Sequence, residues 1–366
     1  MSEPALPPSM SFGPNMQGVL DGVHAMMTHL RSQDDGLKVP SLEELYTISG
    51  FGLGHYAYEP QYNVAYDPPR LLSRWSQWFS NFGPLESVGY YTGYELSELN
   101  FISEEDFWRA MVFELDQGRL VLSMGLHGEM EPVLVVGYEQ SRMTRVLHVR
   151  TPGGQQPVSI NMWGVEHAQG DNGVFDNWLV LVRPSATEAW DKPANQRFTL
   201  IKWVVDHHAN LREFFHETRE NYVVGSHAYE RMERLFLEEV ASLDPQKPEQ
   251  IVELASHIQS YRLNMAAGRR AAATVLGQWA QQTQQISKFN AQQAQRAQEM
   301  WAGAALEYGH AATCFEQWID RTSDADVLSA EGGQVALQAL AQARQAEARA
   351  ATLCERSVEG VNLFGG

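Results

Sequence analysis

Cysteine is nearly missing from this 366-residue chain: there are two, Cys314 and Cys354, and none between residues 1 and 313. That excludes a disulfide-stapled fold and any Cys-x-x-Cys zinc site. A bond between the two cysteines is geometrically open, but two buried free thiols in a reducing compartment are the expected state. Long apolar runs are also missing, since no stretch approaches the ~18–20 residues needed to span a bilayer. Basic residues are few, 27 Lys and Arg against 45 Asp and Glu, for a formal charge of −18. Such an acidic balance opposes binding to nucleic acid or to an anionic membrane surface. The first fifteen residues carry proline and serine but no basic-then-apolar signal pattern. The expected location is the cytoplasm. No Gly-x-Ser-x-Gly elbow, His-Glu-x-x-His helix or Gly-Lys-Ser/Thr phosphate loop occurs, which removes the simplest serine-hydrolase, zinc-protease and nucleotide-binding readings.

What is present suffices for a core: 44% hydrophobic residues and ten tryptophans. Residues 1–15 read as a loose arm. Val19, Leu20, Val23, Met26, Met27 and Leu30 recur at helical spacing, with Asp21 and His24 on one flank and His29 on another. Ser41 and Glu44 form a capping box for a short second helix. The glycine-rich run 49–56, ending in His55 and Tyr56, permits a tight turn after it. A strand is expected at 90–95. A helix from Ser103-Glu104-Glu105-Asp106 should follow and stop at Gly118, its acidic start suited to the helix dipole.

Residues 118–139, GRLVLSMGLHGEMEPVLVVGYE, hold two β-branched apolar runs around a polar turn and read as a buried hairpin. Its turn carries His127, Glu129 and Glu131. Further strands are expected at 144–151, 157–163 and 178–183. Past Arg183-Pro184 the chain turns helical, with helices expected at 197–220, 225–241, 248–285 (interrupted at Gly268), 290–320 and 334–356. The Ala- and Gln-rich stretch 266–313 suits closely packed helices with a wet outer face.

The order of the N-terminal half resembles the papain-like fold of bacteriocin-processing C39-type cysteine peptidases and of the butirosin-biosynthesis H-type N-terminal domain. The matching motifs are Asp116-Gln117-Gly118-Arg119-Leu120-Val121-Leu122 and Val133-Leu134-Val135-Val136-Gly137-Tyr138-Glu139. GSHAYERMERLF and GRRAAATVLGQWA in the helical half look like the tail of uncharacterised bacterial proteins with this domain. The resemblance implies an α+β, papain-like (C39-like) antiparallel sheet with N-terminal helices over 16–190, then an all-α helical domain over 191–366. It also requires the first helix to meet the 118–139 hairpin in space.

At the family's reactive positions the sequence departs. Gln17 matches the oxyanion-stabilising glutamine, but Gly22 stands where the cysteine is expected, Glu131 near the histidine and Thr151 where an Asp or Asn would orient it. A thiol nucleophile belongs at a helix N-terminus, where the dipole favours thiolate. With Gly22 in its place cysteine-peptidase chemistry is not expected, and the glycine is expected to open space. The function this implies is a non-catalytic, cysteine-peptidase-like bacterial protein. It would bind a peptide or small metabolite in a cleft of Gln17, Asp21, Gly22, His55, His127, Glu131 and Thr151, with no cofactor.

Two other readings stay open. Asp21 and Glu131, facing across that cleft, could share a proton and run an acyl or aminoacyl transfer or an amide hydrolysis. A metal is a variant of this: His127, Glu129 and Glu131 alternate and would point one way on an extended strand, joined by His148, His167 or Asp171. The third reading is an assembly protein forming a homo-oligomer through its C-terminal helices. His207, His208, His216 and His227 read as ordinary surface histidines.

Overall fold

The computed structural model describes residues 16–49, 52–53, 56–58, 88–89, 92–93, 94–101, 103–124, 126, 132–142, 144–150, 158–161, 177–185, 197, 200–201, 222–240, 243, 246, 248–287, 289–323 and 326–361. The chain divides into two compact units, Met1–Leu45 with Pro68–Trp190, and Tyr46–Asp67 with Asp191–Gly366.

The first unit is α+β. Helix α1 (Met16–Gln33) buries the stripe expected of it, with Leu20, Val23, Met26, Met27 and Leu30 all inside. The short α2 (Leu42–Ile48) starts at the expected capping box. Glu44 N–H donates to Ser41 Oγ and Ser41 N–H to Glu44 Oε2, each at 3.2 Å. After the brief β1 (Tyr56–Tyr58) of the second unit, the first unit resumes with β2 (Tyr94–Phe101). This strand lies later than the 90–95 expected. Thr92 Oγ1 donates to the Val88 carbonyl at 2.6 Å, and Gly93 takes φ +73°, so residues 92–93, inside the expected strand, are helix and turn.

Helix α3 (Glu104–Asp116) is capped by Ser103, whose Oγ accepts from Asp106 N–H at 3.4 Å, and its first turn is acidic. Gly118, at φ +74°, ends it as expected. Strands β3 (Val121–Met124), β4 (Pro132–Gln140), β5 (Arg145–Arg150), β6 (Val158–Asn161) and β7 (Asn177–Pro184) follow. With β2 they form one antiparallel sheet in the order β2-β7-β3-β4-β5-β6.

The middle of this sheet is buried on both faces, which is why its strands read as continuous apolar runs and not as an alternation. Val121, Val133, Val135, Val149, Leu179 and Leu181 share one face with Phe107, Trp108 and Met111 of α3. The residues between them, Leu122, Leu134 and Val180, are in register and face the other way. There α1 packs on β3, β4 and β7. Beyond a bulge at Val136, β4 runs out to exposed Glu139 and Gln140.

Glu114, buried in the last turns of α3, ties that helix to the sheet. It accepts from Arg119 Nε at 2.6 Å and from Arg183 Nη2 of β7. Burial, the largest single influence, pushes this carboxyl up. The hydrogen bonds from Arg183 and Arg119 outweigh it and hold the carboxyl below its ordinary value.

The second unit is mostly helical: β8 (Tyr222–Val224), α4 (Ser226–Arg234) continuing into a π-helical turn (Leu235–Glu239), α5 (Pro248–Ala280), a 3-10 turn (Thr283–Gln285), α6 (Ala291–Arg321) and α7 (Ala330–Val358). Most of the helix expected at 197–220 lies outside the described residues. A full capping box starts α6, with Asn290 and Gln293 each bonding the other's backbone at 2.9 Å. The small residues of α6 are used inside the unit: Ala294, Ala297, Ala304, Ala311 and Ala312 are buried with Trp301, Phe315 and Trp318 as α6 packs against α5 and α7. Leu306 is the one exposed large hydrophobic among the described residues of 266–313.

Two expectations need correction. Helix α5 runs through Gly268 without interruption, because tertiary packing outweighs the intrinsic cost of about 1 kcal/mol. Segment 46–67, expected within a single 16–190 domain, belongs with the helices. Its β1 pairs antiparallel with β8, Tyr56 opposite Val224, and buried side chains of α5 and α6 bond its backbone.

Candidate functional site

The expected cleft is built on α1 and the β3–β4 hairpin, and these elements do meet. Val121 to Met124 pair with Val135 to Pro132 as the reading of 118–139 requires. The far end of α1 is tied to the turn that opens β3. Gln33 Nε2 donates to the Gly118 carbonyl at 2.9 Å, and His29 Nε2 lies 2.9 Å from the same oxygen. His29 is therefore a buried structural partner of the hairpin.

Gly22 is buried in the second turn of α1, facing β3. A Cβ added to it would lie 2.5 Å from Leu122 Cδ1 and 3.1 Å from Cδ2, both closer than carbon atoms pack. Two expectations fall on this geometry. The glycine does not open a space, since the end of the Leu122 side chain fills it. Nor does the position lie at a helix N-terminus, because α1 begins at Met16 and the dipole's influence is confined to the first turn. Glycine here serves close helix–sheet packing.

Asp21 and His24 are half-buried, one helical turn apart on α1. Burial pushes the His24 imidazole below its ordinary value, partly offset by a hydrogen bond to the Pro40 backbone and by the charge of Glu43. The helix at Gln17 is described, its side chain is not. His55, His127, Glu129, Glu131 and Thr151 lie outside the described residues, as do His167, Asp171, His207, His208 and His216.

Among the described residues no group of three His, Cys, Asp or Glu is placed to hold a metal ion. His148, offered above as a metal partner, has its Nε2 3.2 Å from Glu139 Oε1 on the exposed end of the sheet. His227 Nδ1 lies 3.0 Å from Glu230 Oε2. Cys314 and Cys354 are free thiols of the helical unit. Burial pushes Cys354 up to about 12 and raises Cys314 as well, the reverse of what a nucleophilic thiol needs.

The sequence reading missed Glu114, Arg119 and Arg183, a buried carboxylate between two guanidinium groups. The first two are five residues apart around a helix stop; Arg183 has no local signal linking it to them. None of the described helices is long and apolar enough to cross a membrane. Compared with known protein families and with curated proteins, the chain matches no family model and no curated sequence.

Proposed function

We propose that the α+β unit is a papain-like binding module without thiol chemistry, which holds a peptide or small metabolite beside α1 and the β3–β4 turn. The observation that carries this reading is the contact of α1 with β3 at Gly22 and Leu122, in a unit whose sequence contains no cysteine. The contact supports the helix-on-hairpin arrangement of the family, and the missing thiol removes the nucleophile. Leu122 fills the space beside Gly22, so the contacts proposed for the ligand are the other ones the resemblance implies, Gln17, His127, Glu131 and Thr151. Recognition there is polar: the amide of Gln17 and the Glu131 carboxylate suit backbone N–H groups or an ammonium group.

Fluorescence anisotropy with a fluorescein-labelled mixture of random decapeptides tests the proposal. Binding is expected to saturate and to weaken at least tenfold in Glu131→Ala, without cleavage of a coumarin-amide peptide library. No binding, or binding equal in wild type and variant, overturns it. Coumarin release that is lost in Asp21→Asn or Glu131→Gln would instead establish the carboxylate-based hydrolase.

A further inference from the structure

The two sides of the six-stranded sheet differ in how their arginines are matched. On the α3 side each holds a carboxylate of that helix: Arg119 and Arg183 share Glu114, and Arg145 Nη2 meets Glu105 Oε2 at 2.6 Å. Alternation along β5 puts Leu147 and Val149 on that side, in the core with α3, and Val146, His148 and Arg150 on the side of α1. His148 has Glu139 beside it, Nε2 to Oε1 at 3.2 Å. Arg150 differs. It is half-buried, its Nε is enclosed without a hydrogen-bond partner, and no described residue forms an ion pair with it.

The register fixes where this guanidinium stands. Arg150 is opposite Leu134 on β4, Leu134 is opposite Leu122 on β3, and Leu122 is the side chain that meets Gly22 of α1. The row thus runs from the α1 contact across two strand spacings, roughly 10 Å, to Arg150. Helix α1 packs on β7, β3 and β4, and β5 is the next strand out. The bonds of His29 and Gln33 to Gly118, and the contact of Gly22 with Leu122, give α1 its direction over the hairpin. Its first turn, which contains Gln17, heads for the Met124–Pro132 end, and Arg150 closes β5 at that same end.

A guanidinium drawn half out of water without a counter-charge costs stability, and this chain has 45 acidic side chains from which to match it. The planar fork of arginine pairs with a carboxylate through two parallel N–H···O bonds. One guanidinium balances one negative charge, so a carboxylate suits it better than a phosphate dianion, which the net charge of −18 would repel. We propose that Arg150 is the specificity-determining residue of the α+β unit and receives a carboxylate of the ligand beside α1. The inference rests on the peptide-binding reading above and adds the chemical group by which the ligand is chosen.

Anisotropy on the full chain with three sets of N-terminally rhodamine-labelled random decapeptides tests this. One set has a free C-terminus and no Asp or Glu, the second is the same set amidated, and the third is amidated but contains Glu. A carboxylate-bearing set should bind about ten- to hundredfold tighter than the neutral one, the gain expected of a charge-assisted hydrogen bond. Preference for the first set assigns the terminal carboxylate, and preference for the third alone assigns a side chain. Arg150→Met should abolish the preference and leave affinity for the neutral set unchanged. Equal affinity of all three sets in the wild type, or a preference that survives Arg150→Met, overturns the inference while the binding module stands. No binding of any set overturns both. If Arg150→Met does not fold, Arg150→Lys keeps the charge without the fork and should still lose most of the preference; an undiminished preference there overturns the inference.

Discussion

Replacing Gly22 by alanine sets two effects of opposite sign against each other. Glycine in a helix interior costs about 1 kcal/mol against alanine, so intrinsic propensity favours the change. The new methyl, however, arrives 2.5 Å from Leu122 Cδ1. Leu122 cannot easily yield, since it is fully buried with Leu134 and Val180 beside it in register. Forcing a methyl into a filled core costs about 1–3 kcal/mol. The net effect of Gly22→Ala alone is therefore a loss of about 0–2 kcal/mol, too broad a range to decide anything.

A double-mutant cycle decides it. Leu122→Ala by itself should cost about 2–5 kcal/mol as a cavity opens. In that background the alanine at 22 meets no obstacle, and Gly22→Ala should stabilise by about 1 kcal/mol. The coupling between the two sites is then about 1–3 kcal/mol. Hydrogen exchange at the amides of β3 and β4 is the suitable assay, since a chain of two units need not unfold in one transition. Additivity within about 0.5 kcal/mol, or a stabilising Gly22→Ala in the wild-type background, would refute the packing role. Room for a ligand beside Gly22 would then return.

Two further outcomes follow from buried ionisable groups. The folded-state pKa of Glu114 is depressed, so its stabilisation is present above the unfolded value of 4.5 and is lost as pH falls below it; Glu114→Gln should be less stable than wild type near neutrality and show a shallower acid loss, measured by thermal unfolding at stepped pH. Cys354 is raised from 9.0 to about 12. Its contribution is complete below 9 and falls by about 1 kcal/mol for each pH unit above that; Cys354→Ala should flatten the alkaline slope, and equal slopes in both proteins would contradict the burial argument.

The sheet was largely readable because its inner strands are apolar on both faces. LVLSM, PVLVVGY and NWLVLVR announce themselves without any alternation to detect, and polar turns bracket them. The edge strand YELSELNF was misplaced, since its Glu, Ser and Asn positions resemble a loop. Capping boxes at Ser41 and Asn290 are local chemistry and were visible or inferable from a few neighbouring residues. Long-range placement was not. Nothing near residues 56–58 says that they pair with a strand beginning at Tyr222. Gly22 shows the same gap at the candidate site: residue type and spacing suggested an emptied reactive position, whereas Leu122, a hundred residues away, determines what glycine does there.

The bond from Tyr308 to Leu53 joins residues 255 positions apart, and that from Arg269 to Gly52 spans 217. At ordinary translation rates of about 5–20 residues per second, Leu53 leaves the ribosome some ~13–50 s before the hydroxyl that will bind its carbonyl. The α+β unit is complete in the growing chain by Trp190, well before α5, α6 and α7 have been made. Through that interval residues 46–67 lie as an internal stretch between the two halves of the unit already synthesised, awaiting partners not yet in existence. Birth order thus makes the helical unit close later than the α+β unit, around a piece of chain made well before its helices.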